Sequence, residues 1–105
     1  MKRGEVWWVA LDPTVGSEIQ KTRPCLIVSP DALVVGLRTV LVAPLTSRGQ
    51  AASFRPSLSF KGTSGLILLD QLRAVDKKRF RTRMGKISDD TLANALTMLR
   101  WMFSE

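Results

Sequence analysis

Glu5–Leu11 (EVWWVAL) is apolar on both of its faces when extended, and this limits what the chain can fold into more than any other feature. Val6, Trp8 and Ala10 point one way, and Trp7, Val9 and Leu11 the other, because successive side chains of a strand alternate. Such a strand needs cover on both sides, either between layers of one domain or at a subunit interface. Asp12-Pro13-Thr14 breaks it, and the rest of the chain offers only short elements to cover it. Cys25–Val28, led in by Arg23-Pro24, is a second strand that ends at the turn signal Ser29-Pro30-Asp31. Thr39–Leu45 (TVLVAPL) is a third, with Pro44 marking its end or an edge position. Ser57–Phe60 alternates as a half-buried strand, and Lys61–Gly65 is a turn. Leu66–Leu69 fits a core strand continuing through Val75, and a last strand falls near Arg81–Ile87; Asp31–Leu37 is ambiguous. Only the end is helical. Ser88 is an N-cap with Asp89 and Asp90 in the first turn, and Leu92, Ala95, Leu96, Leu99 and Phe103 form one amphipathic face. The pattern predicts a single domain over residues 1–105, mainly β with a C-terminal helix, as a small barrel or strongly curved antiparallel sheet.

Charge narrows the partners. Sixteen Lys and Arg against nine Asp and Glu give a net charge of +7, and ten of the sixteen are Arg. A basic domain rich in guanidinium groups suits a polyanion, either nucleic acid or a strongly acidic protein segment. Cys25 has no partner for an internal disulfide and reads as a small buried hydrophobe. Met1-Lys2-Arg3-Gly4-Glu5 lacks the apolar core of a signal peptide, and no apolar stretch approaches the roughly 18 residues of a membrane span. The expectation is a cytoplasmic protein without a membrane segment.

The side-chain inventory removes most catalytic classes. There is no His, so paired-imidazole catalysis is excluded, and one Cys without His excludes a zinc site. The carboxylates are scattered, with no cluster suited to a Mg²⁺ nuclease, and no phosphate-binding glycine loop or nucleophile elbow is present. No cofactor and no metal are expected. What remains is Arg, Lys, hydroxyl and lone carboxylate chemistry, and RNA is its natural target. RNA carries its own nucleophile, the 2′-OH, beside the scissile phosphate, so an enzyme need only orient the attack, neutralise the developing phosphorane charge and manage protons. DNA, lacking the 2′-OH, would not be a substrate.

Gly16–Asp31 (GSEIQKTRPCLIVSPD) holds the best-placed candidate: Arg23 stands at a loop-to-strand junction beside Ser17, Glu18, Gln20 and Lys21. Gly4-Glu5-Val6-Trp7-Trp8-Val9, Asp12-Pro13, Gly16-Ser17-Glu18, Arg23-Pro24, Ser29-Pro30, Pro44-Leu45-Thr46-Ser47 and Asp70–Lys77 (DQLRAVDK) follow one another in order. Their order and spacing resemble the MazF/PemK (Kid) family of type II toxin–antitoxin toxins, which are mRNA interferases, over nearly the whole chain. The resemblance implies a compact SH3-like, CcdB/MazF-like barrel, a homodimer, and inhibition by an acidic antitoxin tail. It also implies metal-independent cleavage of single-stranded mRNA that leaves a 2′,3′-cyclic phosphate and a 5′-OH. By position it makes Arg23 and Thr46 the catalytic pair. Arg23 would stabilise the phosphorane, and the Thr46 hydroxyl would donate to a non-bridging phosphate oxygen. Glu18 is a candidate base or base-reader, and Ser17, Gln20, Lys21, Ser47, Asp70, Gln71 and Lys77 are candidate RNA contacts. The basic run Lys77–Arg83 reads as a solvated face that doubles as a phosphate track.

The chain departs from the family's pattern at three positions. Kid-like members carry a catalytic Arg two residues before their Asp-Gln pair, where this chain has Leu68, and some place a His where it has Ser17. Many relatives have Gln after Glu18, where this chain has Ile19. The Arg23/Thr46 arrangement of MazF-like members is therefore the one that transfers. Two other function classes share the fold or the site. A CcdB-like gyrase poison would need a Trp-Gly-Ile C-terminus, and this chain ends Trp101-Met102-Phe103-Ser104-Glu105. A catalytically silent RNA-binding relative would bind without cutting.

Overall fold

The computed structural model describes residues 1–11 and 21–105, so Ser17, Glu18, Ile19 and Gln20 lie outside the described residues. Among the described residues, strands β1 (Glu5–Ala10), β2 (Thr22–Ile27), β3 (Thr39–Thr46), β4 (Ser57–Phe60), β5 (Thr63–Ile67), β6 (Arg73–Asp76) and β7 (Phe80–Lys86) join a curled antiparallel sheet. Its order is β4-β5-β3-β2-β1-β7, with β6 also paired to β3. A short helix α1 (Asp31–Gly36) links β2 to β3, and α2 (Asp89–Met102) closes the chain.

Strand β3 organises the sheet because its far edge is shared by two partners. On the near edge it pairs with β2 at Cys25↔Pro44, Leu26↔Ala43 and Ile27↔Val42. On the far edge β6 takes Thr39–Val42 and β5 takes Leu45 and Thr46. Between those partners the chain leaves the ladder in a 3-10 turn, Leu69–Gln71. The continuous strand expected over Leu66–Val75 is thus two strands and a turn. Pro44 explains where the break falls. Leu68 N–H donates to the Pro44 carbonyl at 2.8 Å. The nitrogen of a strand residue faces the same edge as its carbonyl, so the missing N–H of Pro44 points at the gap, where nothing asks for it. Pro44 lies within the strand and is fully buried, which corrects its expected place at an end or an edge.

Both faces of β1 are covered within the chain. Val6 joins Leu26, Ala43, Ile67 and Leu69 in a first core, sealed by Ala95 and Leu99 of α2. Val9 and Leu11 join Cys25, Ile27, Val40, Val42 and Phe80 in a second. Trp7 flanks this second core edge-on to Phe80, with ring centroids 5.9 Å apart, and its indole N–H donates to Glu5 Oε1 at 2.9 Å. Burial raises the Glu5 carboxyl, yet that indole and the Arg83 guanidinium at 3.2 Å outweigh it and hold the group below its ordinary value. Each fully buried Val, Leu or Ile contributes roughly 1.5–3 kcal/mol. Trp8 is the exception on β1, left 38% exposed.

Helix α2 begins as its capping residues dictate, Ser88 Oγ accepting from Thr91 N–H at 3.2 Å. Ala95 and Leu99 are buried, and Leu92 and Leu96 pack beside them. The helix ends at Met102, and Phe103 is its exposed C-cap, bordering one groove with Leu96 and Leu99. No helix among the described residues is long and apolar enough to cross a membrane.

Candidate active site

The first core reaches the surface beside the ends of β3 and β4. Leu45, Leu58, Phe60 and Met84, all packed in or against that core, emerge into a cleft of about 320 Å³. Helix α2 packs over the opposite end of β1, with Leu92 so close to Gly4 that a Cβ there would stand 3.1 Å from it. Trp8 therefore continues the face of Val6 beyond the helix and becomes a wall of the cleft instead of core. Pro24, directly opposite Trp8 on β2, extends the same wall.

Polar groups ring this apolar floor. Arg23, Thr46, Ser47, Lys61, Thr63 and Ser64 line it, and no carboxylate does among the described residues. Arg23 pairs with Val9 across β1 and β2, and alternation puts it on the other face from Pro24, so it reaches the cleft at the rim. Its carbonyl accepts the Cys25 thiol at 3.6 Å. That thiol is inert: burial raises its pKa to about 12, with Arg73 acting weakly the other way.

Thr46 is the last residue of β3, where the strand passes from β2 to β5. Its Oγ1 accepts the Arg48 backbone N–H at 3.2 Å, which fixes the oxygen and leaves its own proton for donation. The approach of β5 at this point is unusually close. A Cβ on Gly65 would lie 2.8 Å from the Thr46 carbonyl oxygen, so only glycine lets the two strands meet there. Arg23 and Thr46 thus border one cleft, brought together by the β1–β2–β3–β5 stretch of the sheet.

The sequence profile of the PemK-like, MazF-like toxins of type II toxin–antitoxin systems matches residues 2–103. The chain belongs to this family. Among its relatives, the endoribonuclease PemK of Escherichia coli is 41% identical over 94% of this chain and 79% of its own length. The endoribonuclease EndoA of Bacillus subtilis (strain 168) is 31% identical over 88% and 84% respectively. MazF of Deinococcus radiodurans superposes with a TM-score of 0.86 at 28% identity, covering 97% of this chain and 94% of that one. A MazE–MazF structure from the same organism superposes at 0.79 with 25% identity and the same coverage.

For a PemK/MazF toxin, the remaining candidate residues divide sharply. Ser47 lines the cleft beside Thr46. Lys21 stands just before β2, its carbonyl accepting Leu11 N–H at 2.9 Å, and is not among the cleft residues. Asp70 and Gln71 sit on the 3-10 turn and do not line the cleft. Both oxygens of Asp70 are held by Arg55, at 2.9 Å from Nε and 2.7 Å from Nη2, and this pair ties the 47–56 loop to the turn. The Arg55 contact holds the Asp70 carboxyl below its ordinary value, against the smaller opposing effect of burial. Lys77 gives its ammonium to the Val34 carbonyl and so fastens α1. Leu68, at the position where Kid-like toxins carry an arginine, is 3% exposed in the core. The basic run is also largely tied down. Arg79 reaches the Ala10 carbonyl at 3.4 Å, Arg81 the Lys78 carbonyl at 2.7 Å, and Arg83 the Glu5 carboxylate. Among the cleft residues absent from the sequence-derived candidates are Trp8 and Lys61. Trp8 carries the same local pattern as its buried neighbours, and Lys61 reads as turn.

Proposed function

We propose that this chain is a sequence-specific, metal-independent endoribonuclease toxin, formed as one domain over residues 1–105, that cuts single-stranded mRNA. The observation that carries this reading is the shared cleft of Arg23 and Thr46, a cation and an oriented hydroxyl donor with no carboxylate beside them among the described residues. The substrate's 2′-OH attacks the adjacent phosphorus, the P–O5′ bond breaks, and a 2′,3′-cyclic phosphate and a 5′-OH leave. The proton from the 2′-OH departs as the leaving oxygen gains one. The guanidinium of Arg23 offsets the charge gathering on the phosphorane, and Thr46 donates to a non-bridging oxygen; one such donor is commonly worth about 10²–10³ in rate. Glu18 is the proposed base or base-reader. Ser17, Gln20, Lys21 and Ser47 are proposed RNA contacts. Asp70 and Lys77 are proposed to act at one remove, by holding the 47–56 loop and α1, and Gln71 stays a proposed RNA contact.

The relatives' family and the MazE–MazF structure support an acidic antitoxin as partner, one that orders along the basic surface as it binds. A homodimer is proposed on different ground from the two-sided β1, whose faces are both used within the chain. A groove of about 620 Å³ lined by Leu41, Leu72, Leu96, Leu99 and Phe103 leaves Leu41 and Phe103 exposed, the kind of apolar patch that marks an interface. The cytoplasm, where mRNA is translated, is the proposed site of action. The test is purified protein with single-stranded RNA in EDTA. Discrete cleavage that Arg23→Ala reduces at least 10²-fold is expected. Intact RNA, or cleavage indifferent to Arg23→Ala, would overturn the proposal.

A further inference from the structure

Beside Arg23 and Thr46 the cleft carries chemistry that a phosphate alone does not need. Trp8 lines it and is 38% exposed, in a strand whose other bulky residues are largely covered. Facing it, β4 and β5 are joined by Lys61-Gly62, closed by the pair Phe60↔Thr63. Both turn residues have positive φ, 50° at Lys61 and 76° at Gly62, the signature of a type I′ hairpin. The first position of such a turn favours Asn, Asp or Gly, and lysine there is disfavoured. The turn holds the ammonium 5.9 Å from the centroid of the Phe60 ring, at the cleft wall. A hairpin that only reversed the chain would have no use for that choice. Thr63 and Ser64, both hydroxyl residues, follow at once and line the same cleft.

We propose that Trp8 and Lys61 form a one-nucleotide subsite beside the reacting phosphate. The base of the flanking nucleotide lies against the Trp8 indole, and that nucleotide's own phosphate rests on the Lys61 ammonium. Stacking on an aromatic face tolerates any base, so this subsite supplies affinity and registration of the strand, while the hydroxyls and loops supply sequence choice. The proposal rests on the endoribonuclease reading above.

The test uses an RNA with one mapped cleavage site and two copies of it. Each copy has an abasic ribose at one of the two nucleotides flanking the reacting phosphate. Wild-type protein should show a KM about tenfold or more higher on one abasic copy. Trp8→Ala should show that loss on intact RNA and lose no more on the abasic copy, and Trp8→Phe should recover most of it. Lys61→Asn, which suits the left-handed backbone, should raise KM with kcat retained and reduce the salt slope by about one phosphate contact. Unchanged KM for wild type on both abasic copies overturns the subsite even if Trp8→Ala does not fold. So does an unchanged salt slope in Lys61→Asn. Arg23→Ala is assayed alongside. If Arg23→Ala is inactive while Trp8→Ala and Lys61→Asn match wild type, only the subsite fails. If Arg23→Ala cuts normally, the parent reading fails.

Discussion

The hydroxyl of Thr46 accepts the Arg48 N–H, which orients its oxygen, and keeps its own proton to donate outward. Removing the oxygen while keeping the shape should therefore cost rate and little stability. Thr46→Val is expected to lower kcat roughly 10²-fold, and Thr46→Ser to stay within about tenfold of wild type, in single-turnover cleavage. Cys25 shows the opposite case, a reactive group made inert. Its thiol is fully buried and titrates at about 12, so iodoacetamide at pH 8 should leave the native protein unmodified and label it only in denaturant. Rapid native labelling would mean that the second core is open at β2. At this scale the sequence was legible where a residue type has few uses. Arg23 stood out because His and paired Cys are missing and the carboxylates are scattered. Trp8 was not legible, because what separates it from Val6 is how far α2 extends over the sheet, which no local pattern records.

Elements with a strong period were readable: β1, β3, β7 and α2 lie within a residue or two of their expected limits. The Leu66–Val75 segment was not, since its break is imposed from outside, where two strands divide the far edge of β3 opposite Pro44. Gly65 is the tightest point of that arrangement. Gly65→Ala must push the Thr46 carbonyl away, and overpacking of this kind costs about 1–3 kcal/mol. Urea unfolding should show that loss, and cleavage should fall beyond what the lost stability explains, because Thr46 moves with its carbonyl. The Arg55–Asp70 pair makes a pH-dependent statement about the 47–56 loop. The folded carboxyl of Asp70 titrates below the ordinary value. Its contribution is therefore present above the unfolded carboxyl pKa of about 4 and is lost as pH falls through the lower folded value. The pair is partly exposed and worth about 1 kcal/mol at most. Asp70→Asn should thus destabilise the protein slightly at pH 7 and not at pH 2.

For the whole molecule, a +7 chain tied internally at many of its basic groups still presents a cleft without opposing carboxylates among the described residues. The barrel supplies a rigid wall, the hairpin and the 47–56 loop supply the rim, and the groove under Leu41 and Phe103 supplies the proposed contact with a second copy. Phe103→Asp combined with Leu41→Asp should sediment as a monomer at micromolar concentration while keeping the wild-type far-ultraviolet spectrum; an unchanged dimer would move the interface elsewhere. The central claim is that the RNA cuts itself under the direction of Arg23 and Thr46. The most direct measurement is cleavage, in EDTA, of an RNA carrying a single 2′-deoxy substitution at the nucleotide that would supply the nucleophile. No cut is expected at that position, with unmodified RNA yielding a 2′,3′-cyclic phosphate there. Cleavage of the deoxy substrate at the same bond would contradict it.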